Sequence, residues 1–429
     1  MNVTAIAVLA IFAVAATLMY TGRLPALLAL PAMAIAIAIA ARMPAPDILS
    51  EVIEKGFFRL HPAYVTAMLG AVLAEIMSKT GIAETLVKKA AELGGDRPLV
   101  LSLLLTAVVA LLFTTLGGLG AVIMVATIVF PILLSLGLAP MMVAGLFLFG
   151  MSLGGIFNLT NWQLYRELGL DTTTILSFAI PAGIIFGLVT VVFALVEMRR
   201  SKRVFWAAAA TTPQCRVNFL ALLTPLAPLG LVLAFALRKQ LLHDPTAFEF
   251  PITGAMLVGI LWGLATTWRP GTGAVKLLSR AIYEGIGNVA PAVALIFGIG
   301  MLVQAVMHPA VLSSLQPLLQ KVMPHSALAY VVGFAVFAPL ALYRGPLNVW
   351  GLGFGVGKMM AAALPPAGVM AALLSVGQIQ GVSDPTNTHN VWIANHLGLE
   401  VNQILKRTIP YVWGGVIIAL VVGALLFVR

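Results

Sequence analysis

Two short polar runs interrupt long apolar stretches, and both carry amide and hydroxyl side chains at the same spacing. Asn158-Leu159-Thr160-Asn161 lies in the first half of the chain, and Asn387-Thr388-His389-Asn390 lies 229 positions further on. The second run extends upstream through Gln378, Gln380, Gly381 and Ser383-Asp384-Pro385-Thr386. Pro385 lacks an N–H and disfavours helix in the residue before it, so the chain is expected to unwind there. Unwinding frees carbonyl oxygens and exposes two half-helix ends. Free carbonyls with Asn, Thr and Ser oxygens suit a hard cation such as Na+, and half-helix N-termini suit an anionic group. A single such residue would more simply glue two helices together. Two clusters in matching positions point to a binding site. The coupling-ion candidates are Asn158, Asn161, Ser383, Asp384 and Asn387. The substrate candidates are Asn158, Thr160, Asn161, Thr386, Asn387, Thr388 and Asn390.

Two further apolar blocks, about 98–136 and 325–363, are interrupted near their middles. The interruptions are Thr114-Thr115-Leu116-Gly117-Gly118 and Tyr343-Arg344-Gly345-Pro346. Both blocks read as re-entrant hairpins, because irregular backbone at membrane depth is tolerated only where protein or a water-filled cavity satisfies it. Arg344 falls at the second tip, where an ionised group is expensive unless it is paired or faces water. Its planar fork of donors fits a carboxylate, either of a substrate or of Asp384. Thr114, Thr115, Gly117, Gly118, Arg344 and Gly345 therefore join the substrate candidates. Asp384 itself reads as a sodium ligand, a proton carrier or the partner of Arg344.

Other polar residues carry less. Glu75 and Lys79 form an ordinary i,i+4 helix pair, and His61 and Glu284 sit near span starts. The run Gly351–Gly357 lacks the Lys-Ser/Thr of a nucleotide loop and suits close helix packing. The sequence contains no HExxH, no Cys/His metal spacing and no GxSxG. No catalytic residue, no cofactor and no metal beyond Na+ as coupling ion is expected. An intramembrane enzyme is the least favoured class.

The elements that position these residues are membrane spans. Of 429 residues, 61% are apolar and 9% charged, against roughly a quarter charged in soluble domains. The apolar blocks run to about 20 residues, enough to cross roughly 30 Å of hydrocarbon. A soluble enzyme, a disordered chain and a nucleic-acid binder are excluded, and the net charge of +10 reflects loop cations that set orientation. Cys215 stands alone, which rules out an intramolecular disulfide. Expected spans are roughly 3–20, 24–41, 62–79, 141–169 and 174–197, then 217–238, 251–268, 290–307, 366–397 and 403–428. Segments 47–60 and 272–286 read as amphipathic pieces lying along the interface. Residues 1–20 read as the first span rather than a signal peptide. The basic segment 199–216 belongs in the cytoplasm by the positive-inside rule, which places both termini outside a bacterial-type inner membrane.

The two halves match at a near-constant offset. Gly56 pairs with Gly285, Pro62 with Pro291, Leu168-Gly169-Leu170-Asp171 with Leu397-Gly398-Leu399-Glu400, and Ile180-Pro181 with Ile409-Pro410. Each half holds five spans and one hairpin, and an odd span count inverts the second half, an architecture of secondary transporters. The expected fold is an all-α polytopic membrane protein of two inverted repeats, each with a re-entrant hairpin and a broken helix. Residues 1–198 form the first repeat, 199–216 the linker and 217–429 the second repeat.

The third span (His61-Pro62-Ala63 to Lys79-Thr80-Gly81), the hairpin Phe113–Pro131 and Gly381-Val382-Ser383-Asp384 with Leu397-Gly398-Leu399 resemble the gluconate permease family. More broadly they are similar to the ion transporter superfamily, which includes citrate and divalent-anion/sodium symporters. The resemblance implies an organic-anion substrate coupled to H+ or Na+, and a homodimer with an elevator-like moving domain. It points to Thr114–Gly118, Asn158–Asn161, Arg344–Pro346 and Ser383–Asn390 as the site. The chain departs from the sodium/dicarboxylate members, which carry Ser-Asn-Thr in both halves. The expected function is secondary active transport of a sugar acid or a di- or tricarboxylate. The alternative is a cation/proton antiporter or metalloid-anion extruder on the same scaffold.

Overall fold

The computed structural model describes residues 3–21, 23–94, 97–200, 217–241, 248–268, 273–350 and 353–428. Most of the expected linker, 201–216, lies outside the described residues. The first half supplies α1 (Val3–Tyr20), α2 (Ala26–Ala40), α3 (Ala45–Lys79), α4 (Ile82–Gly94), α5 (Pro98–Phe113), α6 (Gly118–Ser135), α7 (Pro140–Ile156), α8 (Leu159–Arg166) and α9 (Thr172–Arg200). In the second half, a single turn at Phe219–Leu222 leads into α10 (Ala227–Leu241), α11 (Ile252–Thr267), α12 (Ala274–Met307), α13 (Pro309–Val322) and α14 (Ala327–Phe337). They are followed by α15 (Gly353–Met360), α16 (Pro366–Ser383), α17 (Thr388–His396) and α18 (Val401–Phe427).

The offset seen in sequence recurs in the elements. Helices α3 and α12 begin 229 residues apart, as do α5 and α14, α8 and α17, and α9 and α18. Gly169 and Gly398, also 229 apart, turn the chain after α8 and α17 with φ of 84° and 65°, a left-handed conformation that glycine enters without a Cβ clash. Proline opens α5, α7 and α16, where its missing N–H deprives no helical bond.

Among the described residues four helices are long and apolar enough to cross a bilayer: α3, α9, α12 and α18. The pair α7–α8 makes a fifth path, bent by 44° at its break. With the shorter apolar helices around them, they make the chain a multi-pass membrane protein. The segments expected to lie along the interface, 47–60 and 272–286, instead continue into the spans that follow them, giving helices of 35 and 34 residues. Their charges neutralise one another along the helix, Lys55 with Glu51 at 2.6 Å and Arg280 with Glu284 at 2.5 Å. Their small residues Gly56 and Gly285 are buried. The span expected over 217–238 is interrupted by a turn at 223–226, which contains Pro225.

Helices α3 and α12 pack against each other in opposite directions. A Cβ on Gly56 would stand 2.7 Å from the Met301 Cα, and one on Gly285 would stand 2.9 Å from the Ala71 and Val72 backbone. Met301 and Val72 are themselves 229 apart, so each half offers the other the same contact. Beyond it, Lys79 bridges to Glu284, and Asn288 donates to the Glu75 carboxylate at 2.9 Å. Helices α9 and α18 pair likewise. Glu197, 3% exposed, accepts from Arg407 at 2.8 Å and from the Tyr411 hydroxyl at 3.0 Å.

Candidate functional site

Each half contains two interruptions of helix, and a buried asparagine ties them together. In the first half, Asn158 ends the gap between α7 and α8. Its Oδ1 accepts from the Thr160 N–H at 2.9 Å, capping α8. Its Nδ2 donates to the carbonyls of Phe113 at 2.7 Å and Leu116 at 3.0 Å, which belong to the gap between α5 and α6. The Leu159 N–H adds a bond to the Thr114 carbonyl at 3.2 Å. Carbonyls freed where the helix ends are thereby satisfied without water, as a membrane interior requires. Asn161 donates to the Gly155 carbonyl at 2.7 Å. Gly118 opens α6 with φ of 82°, whereas Gly117 is extended at φ −162°.

In the second half the connection runs the other way. Asn348, fully buried between α14 and α15, donates to the Ala341 carbonyl at 3.0 Å and to the Asp384 carboxylate at 3.3 Å. Its own Oδ1 accepts from the Trp350 N–H at 2.9 Å. Asp384, also fully buried, accepts from the Thr386 N–H at 2.9 Å and the Thr386 hydroxyl at 2.7 Å. This Asx turn holds the unwound residues between α16 and α17, where Pro385 was expected to break the helix. Asn387 and Gln380 exchange bonds across the break, Asn387 Nδ2 to the Gln380 carbonyl at 2.6 Å and Gln380 Nε2 to Asn387 Oδ1 at 3.2 Å. Ser383 shares a hydrogen bond with Thr408 of α18 at 2.7 Å. Asn390 donates to the Val382 carbonyl at 3.0 Å, while its Oδ1 is buried with no hydrogen-bond partner among the described residues.

The two broken helices meet at Ser152 of α7. Its hydroxyl donates to Gln378 Oε1 at 2.7 Å, and a Cβ on Gly381 would stand 2.6 Å from it. Ser152 and Gly381 are 229 apart, so α7 and α16 touch at equivalent positions. About six residues of α7 separate that crossing from Asn158, roughly 9 Å at 1.5 Å per residue.

The structure thus gathers the predicted residues into two groups. Thr114, Asn158, Thr160 and Asn161 form one, and Ser383, Asp384, Thr386, Asn387 and Asn390 form the other. Thr115 turns away and reaches the Pro225 carbonyl at 3.3 Å, and Thr388 is exposed. Gly345 is buried in the turn after a 3-10 segment, where a Cβ would collide with the Leu340 carbonyl. Arg344 ends that segment, and its side chain lies outside the described residues. Asn348 and Ser152 were not among the sequence candidates. The corresponding gap of the first half, Leu116-Gly117-Gly118-Leu119-Gly120, holds no amide, so matching the halves passes over Asn348. Its signal was a lone amide four residues beyond Arg344 in an apolar block.

Solved structures of transport proteins resemble this multi-pass helical fold. The YdaH transporter of Alcanivorax borkumensis matches with a TM-score of 0.57 at 16% identity, over 88% of this chain and 87% of that one. MtrF of Neisseria gonorrhoeae, described within a class of antimetabolite efflux pumps, matches with a TM-score of 0.58 at 15% identity, over 88% and 83%. Models of known protein families and curated protein sequences give no match. At these identities the likeness is one of fold. Both neighbours are transport proteins rather than enzymes. The expected kinship with gluconate permeases and the ion transporter superfamily is corrected accordingly. Its short Gly, Pro and Asn motifs mark helix breaks, which report architecture rather than lineage.

Proposed function

We propose that the protein is a secondary active transporter of a small organic anion, a sugar acid or a di- or tricarboxylate, coupled to H+ or Na+. One observation carries the reading. The two helix breaks lie at equivalent positions on either side of the Ser152–Gly381 crossing, the place where a transporter built from inverted repeats binds its substrate. The antiparallel packing of α3 on α12 supports the inverted arrangement. Buried amides and hydroxyls hold the polar part of the anion, helix N-termini at Leu159 and Thr388 face its charge, and Arg344 pairs with its carboxylate. The coupling ion binds among Asn158, Asn161, Ser383, Asp384 and Asn387. Each hairpin, bound to a broken helix by Asn158 or Asn348, moves with it as one body against the outer helices. The protein works as a homodimer in a bacterial-type inner membrane with both termini outside.

Uptake and efflux of labelled gluconate, succinate and citrate by proteoliposomes, under imposed Na+ or pH gradients, tests this. Both directions are measured because one fold neighbour is described as an efflux pump. Gradient-driven movement of one anion class is expected. R344A should weaken apparent affinity for it at least about tenfold, the loss of a charge-assisted bond. Unchanged affinity in R344A removes that residue from the site. Cation flux with no anion transported moves the reading to a cation/proton antiporter built on the fully buried Asp384, and extrusion of oxyanions such as arsenite to a metalloid extruder.

A further inference from the structure

Helices α9 and α18 run antiparallel, with Phe178 beside Phe427 at one end and Glu197 beside Arg407 at the other. Residues matched by the 229-residue offset exchange ends in this pair, and the charged end has no charged counterpart. Lys406, Arg407, Tyr411 and Glu197 correspond to Ser177, Phe178, Ala182 and Leu426. Packing of the two helices therefore does not call for charge at that position.

The buried Glu197 is taken up by α18. Arg407 and the Tyr411 hydroxyl occupy its two oxygens, at 2.8 Å and 3.0 Å. Arg200 comes only within 3.8 Å, beyond hydrogen-bond length, and its side chain is 58% exposed. Arg199 and Lys406, the chain neighbours of these two arginines, are exposed, and no ion pair reaches either among the described residues. Glu400, at the start of α18, stands seven residues before Arg407, roughly 10 Å along the axis. On this end of the pair four cations face two carboxylates, which leaves a surplus of positive charge.

The position of this surplus selects its partner. On α9 the exposed residues Ile180, Ile184, Leu188, Val192 and Leu195 recur at three- and four-residue steps and form one apolar column. The next step along that column is the exposed Arg199, so the cations begin where the hydrocarbon-facing surface ends, at headgroup depth. We propose that Arg199, Arg200 and Lys406 form a binding site for the phosphate of an anionic phospholipid whose acyl chains lie along the α9 column. Guanidinium groups take phosphate oxygens in pairs, and a negative headgroup offsets the surplus. A second copy of the chain, docked here about a twofold axis, would instead set a like surplus against this one. The proposal does not depend on what the protein transports.

The test measures melting temperature of the purified full chain in detergent. It is titrated with phosphatidylglycerol, with phosphatidylcholine of the same acyl chains and with glycerol 3-phosphate. A lipid held by the folded state raises the melting temperature. For wild type, half-maximal stabilisation is expected at a concentration at least about tenfold lower for phosphatidylglycerol than for phosphatidylcholine, with no shift from glycerol 3-phosphate. In R199Q/R200Q/K406Q the two lipids should act within about threefold of each other. K89Q/R97Q/K276Q removes the same charge from cations exposed elsewhere and should keep the wild-type preference. If R199Q/R200Q/K406Q does not purify, R199Q/R200Q carries the same comparison. Equal action of the two lipids on wild type overturns the proposal. So does a preference that survives in R199Q/R200Q/K406Q, or one that K89Q/R97Q/K276Q loses to the same extent. Stabilisation by glycerol 3-phosphate as strong as that by phosphatidylglycerol overturns the lipid as occupant.

Discussion

Asn158 and Asn348 perform one task from opposite partners. The first sits on a broken helix and reaches the gap between α5 and α6. The second sits in the gap between α14 and α15 and reaches a carboxylate at the break between α16 and α17. Each satisfies backbone carbonyls that helix ends leave open. Removing the amide strands those carbonyls in a low-dielectric interior, and N158A should lose about 1–3 kcal/mol of stability. Thermal or denaturant unfolding in detergent checks it, with N161A as the milder comparison because Asn161 bonds a single carbonyl, that of Gly155. Asn158 was legible in sequence because an amide inside an apolar block stands out and recurs at the offset. Asn348 was not, because only one half carries it. Repetition reveals shared residues and hides those by which the halves differ, and here the difference bears on Asp384.

Helix breaks were the most legible elements. Pro385, the Thr114–Gly118 run and the Asn158 cluster each marked an interruption that the structure contains. Two adjacent glycines in the first gap have different work. Gly118 stands at φ 82° with a Cβ position 3.5 Å from Val289, whereas Gly117 is extended with open space around it. G118A should therefore cost about 1–2 kcal/mol through left-handed strain, while G117A should be nearly neutral. Melting temperatures of the two variants decide between this account and one in which both glycines serve only for small size. The continuity of α3 and α12 was less legible. Glu51, Lys55, Arg280 and Glu284 look too polar for a span, and sequence hydropathy counts each charge as solvated. In the fold these charges pair along their own helices, Glu284 also with Lys79 of α3, while Gly56 and Gly285 are buried, so the helix runs on.

At the scale of the whole molecule, the halves are joined by contacts between equivalent positions. The crossing of α7 and α16 is the tightest of these, with the Ser152 hydroxyl occupying the space a Cβ on Gly381 would need. G381A should lose about 1–3 kcal/mol by overpacking, and S152G/G381A should recover part of that loss. A double-mutant cycle in detergent measures the coupling, and strict additivity would mean that the two positions do not share the space. The same contact bears on how such a chain arises. If both halves descend by gene duplication from one half-length ancestor that inserted in either orientation, position 152 once met its own copy across the axis. A serine on both copies would set each Cβ against the hydroxyl of the other, a conflict that one serine facing one glycine does not have. A hydroxyl on one side of that contact and none on the other is thus something a paired homodimer cannot encode and a single fused gene can.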